Sequence, residues 1–152
     1  MAGSVAQAVD AALTAAFSAA NAALDVSQSQ DRISVYRAMI PGIPTNRYCV
    51  IYPSLKRGTA GLNGIGRDGH IRFQVTCAAT APDTNRASDI CDWLVTATLD
   101  ALVGAQLAVT GWGPFTVEQD DVSTFQVPVE IVPGRDTVEQ ALWFTSLADR
   151  II

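Results

Sequence analysis

Two strand-like runs separated by a long glycine-bearing loop constrain the fold of this chain more than any other feature. Apolar residues fill both alternating positions of the first run, Tyr48–Tyr52, which predicts a central strand that Pro53 ends. The second run, His70–Cys77, alternates apolar and polar residues and predicts a strand with one polar face. We therefore expect a sheet built around these two strands.

The intervening loop runs from Ser54 to Gly69 and is longer than a compact hairpin requires. Its glycine spacing does not match a phosphate-binding loop, and no helix follows to present backbone N–H groups. We interpret it as a mobile loop, and deletion of Gly58 to Gly66 should then leave the fold intact. Its mixed charges either pair across a subunit boundary or remain solvated at the surface. These charged residues are Lys56, Arg57, Arg67 and Asp68.

An alanine-rich helix is predicted from Ser4 to Asp25. Ser4 and Gln7 have the spacing of a capping box. One apolar stripe comprises Val5, Val9, Leu13, Phe17 and Leu24. The small flanking residues allow close approach of another element, so this helix can serve either the core or a subunit interface. A strand from Ile33 towards Met39 follows.

A second helix is predicted to begin at Asp83 or Thr84 and to end at Gly104. Its core-facing stripe comprises Ala87, Ile90, Cys91, Leu94, Val95, Thr98 and Leu102. Trp93 falls on the more polar side, where an exposed indole is costly unless something covers it. We interpret Trp93 either as a contact residue or as a tryptophan partly buried at the helix edge.

The C-terminal third predicts further strands. Phe115–Gln119 and Phe125–Val132 should form a hairpin, and Pro128, which has no N–H to donate, places the second strand at an edge. The tail Thr137–Leu147 is compatible with a capped helix or a returning strand, and we expect a strand. The order of elements predicts the α+β class, with a largely antiparallel sheet packed by two helices.

The length of 152 residues predicts one domain over residues 1–152, and the order of elements places the N-terminal helix at about 4–25 and an α+β core at about 32–147. Apolar residues make up 49% of the chain and charged residues 16%, which favours a protein that covers part of its surface with partners. The net charge of -5 argues against a basic nucleic-acid-binding face. The start of the chain lacks the positive charge of a secretory signal, and we expect no membrane span.

No group of residues has the spacing of a catalytic set. His70 follows Asp68 closely, so a dyad can be imagined, but the sequence offers no nucleophile with a defined role beside it. Asp120 and Asp121, with Glu118 nearby, either bind a hard cation or solvate a turn, and we favour the turn. We expect no catalytic residue, cofactor or metal, and hence no enzymatic activity.

The cysteines Cys49, Cys77 and Cys91 show neither CxxC nor Cys/His metal spacing. Because free cysteines are among the most buried residues, we expect these three to be reduced and buried.

Taken in this order, the elements resemble those of the tail terminator (tail completion) proteins of long-tailed bacteriophages. The resemblance covers about residues 32 to 132 and includes the strand Arg47–Pro53, the glycine-bearing loop and the alternating strand His70–Cys77. It continues through the helix Ala87–Leu102 and the strand Phe125–Ile131. It implies a structural virion protein, made in the host cytoplasm, that forms a ring, typically a hexamer, at the head–tail junction.

This resemblance implies three protein partners: further copies of the chain, the tail tube protein, and a head-completion or neck protein. DNA would pass only as cargo. The candidate contact residues are Lys56, Arg57, Arg67, Asp68 and Trp93. Two other functions stay open, namely another head-to-tail connector and a small ligand-binding or hydrolytic α+β domain that uses His70 and the glycine loop.

Overall fold

Two helices pack on one face of a six-stranded sheet. The computed structural model describes residues 2–53, 65, 69–120, 124–130, 133–149 and 151. In chain order the helices are α1 (Val5–Ala22), a 3-10 helix (Val26–Asp31) and α2 (Thr84–Leu102). The strands are β1 (Ile33–Arg37), β2 (Arg47–Pro53), β3 (His70–Ala81), β4 (Gln106–Leu107), β5 (Phe115–Thr116), β6 (Glu118–Gln119), β7 (Val127–Val129) and β8 (Asp136–Leu147).

The sheet order is β1-β2-β3-β8-β6, and β7 also pairs with β8. Only the β1–β2 pair of this sheet is parallel among the described residues, and β4 with β5 forms a separate small antiparallel ribbon. The mostly antiparallel sheet with two packed helices confirms the predicted α+β class.

Local capping explains where α1 begins and ends. The Ser4 side chain accepts a hydrogen bond from the Gln7 N–H, and the Gln7 side chain accepts one from the Gly3 N–H. The predicted stripe is buried from Val5 to Phe17. The helix ends at Ala22 instead of Asp25, because the Asp25 carboxylate caps the following 3-10 helix by accepting from the Ser27 N–H.

The boundaries and buried face of α2 agree with the sequence pattern. Asp83 is the N-cap, and its carboxylate accepts from the Arg86 N–H at 2.8 Å. The predicted stripe is buried, except that Ile90 is half-buried. The helix ends at Leu102, and Gly104 follows with a φ of 80° that favours glycine.

Strand β2 is central, as its two-sided apolar pattern predicts. Cys49 and Ile51 belong to the main core beneath the helices, whereas Tyr48 and Val50 are buried on the opposite face. Strand β1 is shorter than predicted and ends at Arg37, because Ala38 adopts a positive φ of 63°.

Strands β3 and β8 form the longest pairing in the sheet. Ile71 and Phe73 of β3 face the helices and are buried, while Arg72 between them is half-buried on the other face. Phe73 stacks on Phe144 of β8 with ring centroids 5.2 Å apart. The tail is therefore a strand, as expected, and its consecutive apolar residues point alternately to the two faces of the sheet.

The hairpin predicted from Phe115–Gln119 and Phe125–Val132 is wrong. Strands β6 and β7 each pair with β8, so Glu118 lies opposite Thr145 and Val127 lies opposite Glu139. Strand β7 covers only Val127–Val129, and Phe125, which the prediction placed in this strand, precedes it and is 77% exposed. The position of Pro128 on an edge strand is as predicted.

The start of β3 and one residue of the predicted loop are tied to the core. Gly69 has a φ of 83°, and an added Cβ would lie 1.9 Å from the Ala148 carbonyl oxygen, so only glycine fits. Ile65 is 1% exposed and belongs to the main core. Deletion of Gly58 to Gly66 would remove that side chain, which corrects the expectation that the fold would be spared. In the described part of the chain, neither helix is long and apolar enough to cross a membrane.

Candidate functional site

Of the five predicted contact residues, the structure describes Trp93, which lies on the outward side of α2. Trp93 is 47% exposed and lies two residues beyond the buried Cys91, about 200° around the helix from it. Asp89 and Asp100 share this outward side and are exposed. Trp93 is therefore about half exposed among acidic neighbours, and its assignment as a contact residue stays a prediction.

Acidic side chains are concentrated in one part of the fold. Among the described residues from position 69 onward, ten are acidic and three are basic, whereas positions 2–53 hold three of each. The first group includes α2 and strands β3 to β8, and the second includes α1, β1 and β2. The net negative charge of the described residues therefore lies in the part of the fold that contains α2 and strands β3 to β8, and not in the part that contains α1, β1 and β2.

The four charged candidates of the predicted loop, namely Lys56, Arg57, Arg67 and Asp68, lie outside the described residues. Their assignment as contacts stays a prediction from sequence.

His70 has a structural role at the start of β3. Its Nε2 lies 2.8 Å from the Thr145 Oγ1, and that hydroxyl donates its own hydrogen to the Ile71 carbonyl at 3.1 Å. The Thr145 oxygen can then only accept, so the imidazole donates through Nε2. The interaction links β3 to β8 across the register, while Asp68, the suggested dyad partner, lies outside the described residues.

The acidic turn candidates are used within the chain. The Asp120 carboxylate lies 3.1 Å from the Arg72 Nε, and the same guanidinium sits 4.3 Å above the centre of the Trp143 ring. Glu118 is exposed in β6, and Asp121 lies outside the described residues. No cluster of three potential metal ligands occurs in the part of the chain that the structure describes.

The sheet face opposite the helices, here called the second face, carries a group of aromatic residues that sequence reasoning did not single out. Tyr36 and Tyr52 pack against the buried Tyr48, and the rings of Tyr36 and Tyr48 meet edge to face with centroids 6.0 Å apart. The sequence of β2 could have shown part of this group, because Tyr48 and Tyr52 are four positions apart and alternate residues of a strand share one face.

Electrostatics on the second face centre on Tyr48 and Glu139, which flank Ala78 in one cross-strand row. Burial, followed by the nearby Glu139 charge, raises the pKa of Tyr48 to about 12. Burial also raises the pKa of Glu139 above its usual value of 4.5. The Tyr48 hydroxyl is buried and has no hydrogen-bond partner among the described residues.

A cleft of about 470 Å³ lies at the other end of the β3–β8 pair from His70. Its lining includes Thr84, Arg135 and Thr137. His70 and Ala81 mark the two ends of β3, which are about 36 Å apart at the rise of an extended strand. The cleft therefore does not bring a ligand to the histidine.

Comparisons with known proteins identify a shared fold. No family model matches the chain, and no curated protein matches it. A chain of the solved structure described as "Virion of native gene transfer agent (GTA) particle" aligns with a TM-score of 0.51 and 20% sequence identity, over 92% of this chain and 96% of that chain. A second solved protein aligns at 0.46 with 21% identity, over 92% and 94% of the two chains, and supports no argument. The chain thus has the fold of a component of a gene transfer agent virion.

Proposed function

We propose that this chain is a structural virion protein, a phage tail terminator that forms a ring, caps the tail tube and joins it to the neck. The observation that carries the proposal is the near-complete alignment with a chain of a gene transfer agent virion. The resemblance of the sequence elements to those of tail terminators supports the same role. Such a protein works by binding copies of itself and its neighbours, without a chemical step.

The charge distribution suits a ring through which DNA passes. A channel lined by carboxylates does not hold phosphates, so DNA moves through it without being retained. The excess of ten acidic over three basic side chains from position 69 onward supplies such a lining if this part of the fold faces the channel. The nucleic acid is then cargo and not a ligand.

Ring closure requires each copy to present two different surfaces, because a head-to-tail contact joins unlike patches. We place Trp93 in one of them, since a half-exposed indole gains most from burial against a partner. The loop charges Lys56, Arg57, Arg67 and Asp68 are proposed as contacts to a neighbouring copy or to the tube.

Light scattering and negative-stain imaging of the purified chain test the ring directly. We expect closed rings with a central channel, and Trp93→Ser should shift the population towards monomer without changing the circular dichroism spectrum. Val103→Ser is the matched control, because Val103 is also 47% exposed and directly follows the same helix. If both variants assemble like the parent chain, Trp93 is not a contact.

The terminator role is separated from that of another neck protein by loss of function during assembly. Removing a terminator should give tail tubes of uncontrolled length, whereas removing a neck protein should give tails of normal length that fail to join heads. Substrate turnover that disappears on His70→Ala would contradict the non-enzymatic proposal as a whole.

A further inference from the structure

The three cysteines of the chain converge in the main core between the sheet and α2. All three are free and buried. The Cys49 Sγ and the Cys77 Sγ are 3.9 Å apart, and the Thr98 hydroxyl of α2 lies 3.7 Å and 3.4 Å from them. Cys91 is oriented differently, because its thiol donates to the Cys77 carbonyl at 3.6 Å. One close sulfur pair therefore stands apart from the third thiol.

The backbone places this sulfur pair where a disulfide can close. Cys49 lies directly opposite Cys77 in the β2–β3 register. The same register, continued by one position, puts Asn46 opposite Thr80. The Thr80 N–H donates to the Asn46 carbonyl, so these two residues form a hydrogen-bonded pair. Such pairs alternate along antiparallel strands, so Cys49 and Cys77, three positions further along, form a non-hydrogen-bonded pair with Cα atoms about 4.5 Å apart. Disulfides span Cα separations of about 4.4–6.8 Å.

We propose that Cys49 and Cys77 form an oxidation site at which a peroxide converts the two thiols into a cross-strand disulfide, with Cys91 left as a thiol. One thiolate attacks the peroxide oxygen and becomes a sulfenic acid while hydroxide leaves. The second thiol then attacks the sulfenic sulfur, the S–S bond forms and water leaves. In total, two thiols lose two electrons and two protons, and hydrogen peroxide is reduced to two waters. This inference does not depend on the proposed virion role.

The surroundings of the pair determine when the reaction occurs. Both sulfurs are fully buried, so a peroxide reaches them only when α2 separates from the sheet. The hydrogen bond that the Cys77 thiol donates to the Cys49 sulfur, together with burial, holds the pKa of Cys77 well above its ordinary value, which keeps the reactive thiolate scarce in the folded chain. Oxidation should therefore be slow in the native protein and faster under conditions that increase opening.

The test treats the purified full-length chain with hydrogen peroxide at several urea concentrations below the unfolding transition. Intact mass should fall by two hydrogen atoms, and a non-reducing peptide map should join Cys49 to Cys77. The rate should rise with urea concentration, because urea increases the fraction of chains in which α2 has separated from the sheet. Dithiothreitol should restore the original mass. The oxidised chain should also unfold at a higher urea concentration, because the bond restricts the unfolded state.

Single substitutions give the controls. Cys91→Ala should lose the same two hydrogens, whereas Cys49→Ala and Cys77→Ala should instead gain oxygen. Alkylation of parallel samples with iodoacetamide reports whether the thiols become accessible. A parent chain whose thiols alkylate but never form the bond would overturn the proposal, as would a mapped bond to Cys91. If a cysteine variant fails to fold, the peptide map of the parent chain decides alone.

Discussion

The two faces of the central sheet are built from the same strands but differ in what covers them. The helix-facing side forms one continuous core in which Phe73 and Phe144 stack and are fully buried. Among the described residues, the buried hydrophobic cluster of the second face consists of Tyr48, Val50 and Ala78, while Gln74 and Trp143 remain partly exposed. The helix-facing side therefore supplies most of the apolar burial that stabilises the fold.

The second face differs in chemistry as well as in burial. It combines aromatic rings with the charges of Arg72 and Glu139, and Arg72 contacts both Trp143 and Asp120. Charged groups at half-exposed positions contribute little to stability. The half-exposed charged residues of this face can thus change with small effects on folding.

Neighbouring residues of β8 provide the sharpest test of this contrast. Phe144→Ala should lower the free energy of unfolding by about 3–5 kcal/mol, since it empties a fully buried ring position. Trp143→Ala, one residue away on the other face, should cost about 1 kcal/mol, mainly through loss of the Arg72 contact. Urea denaturation of both variants measures the difference. Equal losses would show that the two faces contribute alike.

Ile65 tests whether the helix-facing core includes the segment between β2 and β3. It is almost fully buried in that core, so Ile65→Ala should lower the free energy of unfolding by about 2–5 kcal/mol. Ile43→Ala is the control, because Ile43 is 86% exposed and should change stability by less than about 0.5 kcal/mol. Matching denaturation curves for Ile65→Ala and the parent chain would show that Ile65 does not contribute to the core.

The two α-helices and strands β2 and β3 could be predicted from sequence because their signals are local. The α2 stripe repeats with the helical period from Ala87 to Leu102, and Asp83 is a strong N-cap residue. The alternation in β3 likewise separates Phe73 from Arg72. These patterns depend only on residues within one element.

Long-range pairing could not be predicted in the same way. The segment around Asp120 has good turn residues, which favoured a hairpin, but β6 and β7 both gain more by pairing with the long strand β8. The convergence of Cys49, Cys77 and Cys91 depends on the β2–β3 register and on the position of α2. Trp93, by contrast, was singled out because an exposed indole within a polar helix side is visible in sequence.

Removing the buried hydroxyl of Tyr48 should raise the free energy of unfolding, whereas the substitutions of Phe144 and Ile65 should lower it. A buried polar group without a partner costs about 1–3 kcal/mol, so Tyr48→Phe should raise the free energy of unfolding by about 1 kcal/mol. Tyr36→Phe should change it by less than about 0.5 kcal/mol, because the half-buried Tyr36 can reach water. A destabilised Tyr48→Phe chain, measured by thermal or urea unfolding, would mean that the hydroxyl has a stabilising partner.

Glu139 on the second face should make stability depend on pH by a small amount. Because burial raises its pKa above 4.5, the folded chain binds the proton more tightly than the unfolded chain does. The free energy of unfolding contributed by this group is therefore greatest below the unfolded pKa, and it is lost as pH rises through the folded pKa. Solvent around this half-exposed carboxyl limits the effect to less than about 1 kcal/mol.

Glu139→Gln removes this titration, so the variant should gain stability relative to the parent chain as the pH is raised from about 4 to about 7. Urea unfolding at a series of pH values measures that difference, and Glu118→Gln, at an exposed position in β6, is the control for the loss of one surface charge. If the difference between Glu139→Gln and the parent chain stays constant across the series, proton binding at Glu139 is not coupled to folding. The second face would then be as well solvated as the rest of the surface, and the contrast between the two faces would depend on packing alone.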